Sequence, residues 1–589
     1  MEGRELLKSA IAGRAAKGLW AHHDKMGRMK RLILAVCCMI GIGAPVLPEV
    51  SQESLASLIQ AGNRREALAR IGAGADVNEA QPDGTRPIHW AVYHLDDELL
   101  GALIAKKAKV NVTNEFGSTP IAEAAQLGDA RMVKMLLEAG AEPEGANADG
   151  QTALMLAIKT GELPVVKMLI NAGANVNRIE DFRKQTPLMW AAAAPRNAGE
   201  MVKILLSKGA DVKPRALYTD WPSQITSEPR AQYRPVGGLT ALLYAARDGC
   251  YDCIEALVGA GADVNVPTPE GVTALMLALD NEHNDTAKLL LDHGANPNVW
   301  DWWGRTALYI VIDRRETARA PARGSGLREA RSGPASAVPV AARGTSHPPV
   351  SSMEIISMLL AADVDPDPEL NMHRPSRGGN SGRFGDPLLS TGCTPLLRAT
   401  MGNDMEVVQA LLAKGASPNI NDMGMTAFLV SAGAASSRGG GGLAGPAPAN
   451  AANIPLMDLL LQHGAYVNAQ VTGTNTYSMR IARAPSTNEG MTALHIAAQS
   501  GRADLVRYLL DKGANPEIVD SNGHKPIDLV GLSPAPRKNG VPDRASSATA
   551  EPPASGAQSR GGAAGGNSTA RAANVTEIRA LLQDTSVRK

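Results

Sequence analysis

The stretch Gly490-Met-Thr-Ala-Leu-His-Ile-Ala-Ala-Gln-Ser-Gly501, continued by Arg502-Ala-Asp-Leu-Val-Arg-Tyr-Leu-Leu-Asp-Lys-Gly513-Ala-Asn-Pro-Glu517, reads as two short helices and the turns that end them. Thr492 is placed to cap the first helix, and Leu494, Ile496 and Ala497 line its buried side. Gly501 stops that helix and allows a left-handed turn. Leu505, Val506, Leu509 and Leu510 follow at helical spacing and give a second amphipathic helix. Gly513 ends it, and the polar residues beyond suit a tight hairpin.

This unit recurs along the chain. The glycine ahead of the capping threonine returns as Gly84, Gly117, Gly150, Gly238, Gly271, Gly304, Gly392, Gly424, Gly490 and Gly523, with Lys184 in the same place once. Most intervals are 32 to 34 residues, and three are stretched to 54, 88 and 66. A second mark recurs between them: Gly-Ala-Asp-Val-Asn at 74–78 and 261–265, Gly-Ala-Asn-Val-Asn at 173–177 and Gly-Ala-Asn-Pro-Asn at 294–298. Weaker copies start at Lys107, Gly140, Gly209, Asp363, Gly415, Gly464 and Gly513. No 33-residue unit buries enough apolar surface alone, so the units must stack and share a core.

The repeat resembles the ankyrin repeat family. Its Thr-Pro-Leu-His-x-Ala-Ala signature appears with variations as Arg86-Pro-Ile-His-Trp-Ala-Val, Thr119-Pro-Ile-Ala-Glu-Ala-Ala, Thr186-Pro-Leu-Met-Trp-Ala-Ala and Thr492-Ala-Leu-His-Ile-Ala-Ala. The resemblance covers roughly 51–583 and implies an all-α repeat solenoid of about twelve units. It further implies an elongated stack whose hairpin fingers and inner helices bind other macromolecules. The segment around Ser54 to Asn78 lacks the signature and reads as an amino-terminal cap. The last unit opens at Gly523 with Pro526-Ile-Asp-Leu529 and resumes at Val575 to Leu582 as a closing helix, leaving a tail at 584–589.

Composition agrees with many small cores. The 589 residues include seven Trp, nine Tyr and four Phe, about 3%, against 59 Gly and 38 Pro. A chain of this length built from ordinary globular domains would carry more aromatic area. The 59 basic and 59 acidic side chains cancel, which removes the electrostatic footprint expected of a nucleic-acid binder. A hydrophobic fraction of 44% excludes a wholly disordered chain. Five cysteines cannot supply a disulfide framework, so the fold must stand on packing.

Residues 1–50 stand apart. Met29-Lys30-Arg31, the apolar run Leu32 to Ile42 and Gly43-Ala-Pro-Val-Leu-Pro48 have the order of a secretory signal at about 26–47, with 1–25 as an extension ahead of it. The run is short for a membrane span. The reading is an exported protein, periplasmic or secreted; the alternatives are a membrane anchor through 32–47, or a cytoplasmic protein whose signal is unused. The signal and the Ala/Gly/Arg-rich loops suit a bacterial source.

Six insertions interrupt the repeats. Those at about 214–237, 368–391 and 470–488 lengthen a finger, and those at about 316–350, 433–452 and 533–573 separate the two helices of a unit. The second group is rich in Gly, Ala, Ser, Pro and Arg, a composition expected of disordered loops. The insertion at 214–237 differs, because Tyr218, Trp221, Ile225 and Tyr233 give it something to pack.

Candidate chemistry is sparse. Cys250-Tyr-Asp-Cys253 has the spacing of a redox or metal pair. In register, however, Cys253 falls on the apolar slot held elsewhere by Val133 or Val165, which favours core packing. His89 and His495 stand at the signature histidine, for which the resemblance implies hydrogen bonds between hairpins. His293 and His463 sit where a cation favours a helix end. Asp96-Asp97-Glu98 opens a second helix and reads as capping. No phosphate loop, nucleophile elbow or ligand cluster is present in the sequence, so neither catalytic residues, cofactor nor metal are expected.

Trp90 and Trp190 occupy a first-helix slot held elsewhere by Leu156, Leu277 and Ile496, and read as core. Trp300, Trp302 and Trp303 fall in a hairpin finger, as do Phe116 and Phe182 in earlier units. Exposed tryptophan is costly unless covered, and is enriched at binding hot spots. Two readings stand: these rings contact a protein partner, or the insertions 316–350 and 368–391 cover them. The leading expectation is a monomeric, non-enzymatic protein-binding scaffold. Trp302 and Trp303 are its best-placed contacts, with Trp300, Phe116, Phe182, Tyr218 and Trp221 beside them. The alternative is a secreted effector or surface protein acting on proteins of another cell.

Overall fold

A computed structural model describes residues 53–147, 149–219, 236–319, 348–370, 392–420, 424–433, 452–472, 489–532 and 567–583. It is an all-α repeat solenoid whose chain divides into two compact units, residues 1–109 and 110–589. In the first unit, helices Leu55–Gln60 and Arg64–Gly72 pack against Pro87–Tyr93 and Asp97–Ala105. In the second, pairs of short antiparallel helices follow one another from Pro120–Leu127 and Ala130–Glu138 to Ala493–Ser500 and Ala503–Asp511.

The threonine of each signature performs the predicted cap. Its hydroxyl accepts the N–H three residues on at Thr119, Thr152, Thr186, Thr240, Thr273, Thr394 and Thr426. Second helices are capped the same way by carboxylates or carboxamides, at Asp96, Asp129, Asp404 and Asn453. At His495 the signature histidine joins two hairpins: its ring bonds Thr492 on one side and the carbonyl of His524 on the other.

The asparagine that closes most of the Gly-Ala-Asp-Val-Asn marks ties one finger to the next. The Asn177 carboxamide donates to the Gly209 carbonyl at 2.9 Å and accepts the Asp211 N–H at 2.8 Å. Asn265 does the same with Gly294 and Asn296, Asn419 with Gly464 and Tyr466, and Asn468 with Gly513 and Asn515. Within the first unit Asn78 holds Lys107 and Lys109. Where the mark is degraded, Glu144 and Asp367 keep only the accepting half, toward Asn175 and Ser417. Finger backbones also bond directly, Asp181 N–H to the Asp149 carbonyl at 3.0 Å and Trp302 N–H to that of Glu270 at 2.8 Å. A Cβ at Gly271 would lie 3.0 Å from the Trp300 carbonyl oxygen, and the residue sits at φ +83°, so close stacking demands glycine there.

Helix Ala307–Arg319 runs past the start expected for the insertion at 316. Ions explain the extension. Arg315 and Arg319 both reach Asp404, at 2.6 and 2.5 Å, and Asp313 accepts from Arg398 at 2.8 Å. The closing helix likewise begins earlier than expected, at Asn567, and buries Ile578 and Leu582. The necks of three insertions are paired: Tyr218–Thr219 with Val236–Gly237, Leu370 with Gly392 and Cys393, and Val471 with Gly490 and Met491. The greater part of all six insertions lies outside the described residues, as do the signal-like segment 26–47 and the tail 584–589. No helix among the described residues is long and apolar enough to cross a membrane.

Replacing Asn177 by Ala is expected to lower unfolding free energy by about 1–2 kcal/mol, two hydrogen bonds at roughly 1 kcal/mol each. Amide exchange should quicken at Asp211. Urea denaturation and hydrogen exchange read the two effects, and unchanged protection of Asp211 would show that the clamp is ornamental.

Candidate interaction surface

The finger at 300–304 is built around a buried acid. Asp301 has its carboxylate inside the turn, accepting the N–H groups of Trp303 at 3.0 Å and Arg305 at 2.8 Å. Arg305 closes the pair through its guanidinium at 2.7 Å, and both Arg305 and Arg314 reach back to Asp280 of the preceding unit. A finger tethered this way cannot offer three rings to solvent. Trp303 is folded inward and only 4% exposed, and Trp302 is half-buried with its indole N–H enclosed and without a partner. The expectation that this pair forms the exposed contact is therefore corrected. Trp300, at the outer edge, is the exposed ring, at 62%.

Other fingers keep their rings outside. Phe116 and Phe182 are exposed, as is Tyr218 on its short strand. Phe182 is held on a turn organised by the buried Glu180, whose carboxylate accepts from the N–H groups of Phe182, Arg183 and Gln185. Trp221 lies outside the described residues. One exposed finger ring was missed in the sequence. Tyr466 is 67% exposed and stands at the third place of Gly464-Ala-Tyr-Val-Asn468, where most other copies carry Asp or Asn and none carries another ring. That departure was the available signal. A cleft of about 520 Å³ runs beside Trp300, between it and Asp363, Asp365, Pro368 and Glu369.

The first-helix slot read as core is only half-buried at both tryptophans. Trp90 donates its indole N–H to Gln81 at 2.8 Å, and Trp190 has a lysine ammonium, Lys159, 5.9 Å from its ring. Tyr244 holds the same slot, accepting from Gln185 at 2.6 Å with the Arg247 guanidinium 4.8 Å from the ring. Glu123 also sits there. Its carboxyl accepts from the Ser118 hydroxyl at 2.9 Å while its second oxygen is buried without a partner, and burial pushes it up to about 7.

The cysteine pair departs from a simple core reading. Cys253 is fully buried, in line with Met132 and Val165 in the N3 position of their helices, so the Val133 register is one residue off. Cys250, however, is half-buried at the N-cap of helix Tyr251–Gly259 and is disulfide-bonded to Cys253 across a Cα separation of 5.2 Å. A closed disulfide leaves neither sulfur as a thiolate ligand for a metal.

Two expected outcomes follow from this geometry. Trp303→Ala costs about 3–5 kcal/mol as a core truncation, whereas Trp300→Ala stays within about 0.5 kcal/mol; paired unfolding curves decide, and equal losses would contradict the assigned burial. Glu123 has a folded pKa above its unfolded value, so its stabilising contribution is complete below about pH 4 and is lost as pH rises through about 7. Glu123→Gln should therefore raise stability by about 1–3 kcal/mol near pH 8 and change little near pH 4. A constant difference across that range would refute the assignment.

Comparison with known proteins places the chain. The family model described as ankyrin repeats (3 copies) matches residues 55–147, 143–216 and 242–320, and the single ankyrin repeat matches 391–423 and 489–521. Together the matches span just over half of the 589 residues. Among solved structures, a human ASB11 ankyrin repeat domain is 24% identical, covering 41% of this chain and 98% of that one at a TM-score of 0.33. With its capping threonines, paired helices and clamped fingers in the matched segments, the chain belongs to the ankyrin repeat family.

Proposed function

We propose that the protein is a non-enzymatic binding scaffold that captures a protein partner on its finger tips. Ankyrin repeats generally mediate protein–protein interaction and generally act as non-enzymatic modules, which supports the class. The observation that carries the finger surface is the exposure of Phe116, Phe182, Trp300 and Tyr466 in a chain that is only 3% aromatic. Large rings left in water without a structural task are the usual anchors of an interface. Trp300 is the centre of this surface, because the adjoining cleft can receive a partner side chain. The site of action is outside the cytoplasm. The basic and apolar order of 29–48 supports export, and the Cys250–Cys253 disulfide suits an oxidising compartment.

The test is capture from the native compartment by the wild-type chain and by a Phe182→Ala/Trp300→Ala/Tyr466→Ala variant. The expected result is at least about a tenfold loss of the captured protein with an unchanged thermal midpoint. Undiminished capture, or loss that tracks a lowered midpoint, would overturn the finger surface. Fractionation of a tagged copy checks the compartment, and a wholly cytoplasmic product would refute export.

A further inference from the structure

We propose that Cys250 and Cys253 form a thiol–disulfide exchange site that accepts two electrons from a dithiol protein of the Cys-x-x-Cys kind. The pair is bonded, and its two sulfurs sit in different surroundings. Cys253 is 0% exposed in an apolar slot, whereas Cys250 is half-buried at the helix start. An attacking thiolate therefore reaches Cys250, and Cys253 is the leaving sulfur.

The position of Cys250 favours its thiolate. The N-cap of the second helix is used as an acceptor in some units and not in others: Asp96, Asp129, Asp404 and Asn453 each accept the N–H of the third helical residue, whereas Glu162, Asn197, His283 and Arg502 do not. Cys250 makes no such bond, and the third helical residue is Cys253 itself. Opening the disulfide frees the Cys250 sulfur to take the place that the Asp129 and Asp404 carboxylates hold in other units. The positive end of the helix dipole at this position favours a thiolate there. His283, which begins the second helix of the next unit, packs its ring on the same corner: a Cβ at Gly249 would lie 2.5 Å from its Nδ1.

A structural role does not account for the bond. It joins residues three apart at one helix start and so removes little freedom from the unfolded chain. The equivalent helices Leu163–Asn171 and Ala503–Asp511 form with Val165 and Leu505 in the buried slot and no crosslink.

The chemistry balances without a cofactor. A thiolate of the dithiol partner attacks the Cys250 sulfur, forming a mixed disulfide and breaking the Cys250–Cys253 bond. The proton lost by the attacking thiol goes to Cys253. The partner's second thiol then displaces Cys250 from the mixed disulfide and passes its own proton to that sulfur. The partner ends as a disulfide, and this chain as a dithiol carrying two electrons and two protons more.

The experiment uses the full folded chain with a reduced thioredoxin-type protein as the probe, in native buffer. Alkylation followed by peptide mass spectrometry should find two new thiols, at Cys250 and Cys253, with helical circular dichroism unchanged. Cys253→Val, which copies the residue at position 165, leaves Cys250 unpaired. With the activated disulfide of dithiobis-nitrobenzoate it should form a mixed disulfide at least about tenfold faster than Cys250→Ser does through Cys253. Reduction that occurs only after urea unfolding would overturn the proposal. So would equal trapping by the two variants, or the absence of an adduct on Cys253→Val.

Discussion

Stacking in this protein rests on one side-chain amide used repeatedly. A carboxamide carries a donor and an acceptor a fixed distance apart, and the asparagine closing most of these marks uses both on the following finger, as Asn177 does on Gly209 and Asp211. Helix pairs with greasy faces would slide without such a register mark, since hydrophobic burial is indifferent to direction. Glycine in the finger permits the close approach, the amide sets the offset, and the threonine caps then start each helix at the same height. Everything on the surface inherits its spacing from this arrangement.

That is why the fold could be read from the sequence. Gly, Thr, Pro and Asn at fixed offsets each do a backbone job that few other residues do, so their recurrence is a direct trace of geometry. The cap at Thr119 and the clamp at Asn265 are written in residue identity alone. The surface was less legible for a physical reason. Whether a finger ring meets water depends on how its turn is tethered, and that depends on distant partners. Trp302 and Trp303 were expected outside, but Asp301, Arg305 and Asp280 draw their finger inward and leave only Trp300 at the edge. Tyr466 was overlooked because it hides in a degraded copy of the mark. Its exposure follows once that copy is aligned with Asp76 and Asn175.

Several polar groups inside the stack are paired across units. Gln185 reaches Tyr244, Arg314 reaches Asp280, and Tyr508 donates to Asp458 at 2.8 Å. Such bonds add modest stability, since burying charge costs nearly what pairing returns. Their use is specificity. They make one neighbour correct at each interface of an otherwise repetitive chain, which lowers the chance of a unit docking on the wrong copy during folding.

The ion cluster beyond helix Ala307–Arg319 has a topological consequence. Arg398 with Asp313, and Asp404 with Arg315 and Arg319, join residues 85 to 89 positions apart along the chain through side chains alone. Covalent continuity between 319 and 348 is thus not what holds these two stretches together. A backbone cut anywhere in that span would leave two fragments that remain associated as one folded body, since the ions and the packed helices already supply the connection. The chain can accordingly lengthen, shorten or exchange this insertion by descent without disturbing the stack on either side, because loop closure adds only slowly to the cost of folding.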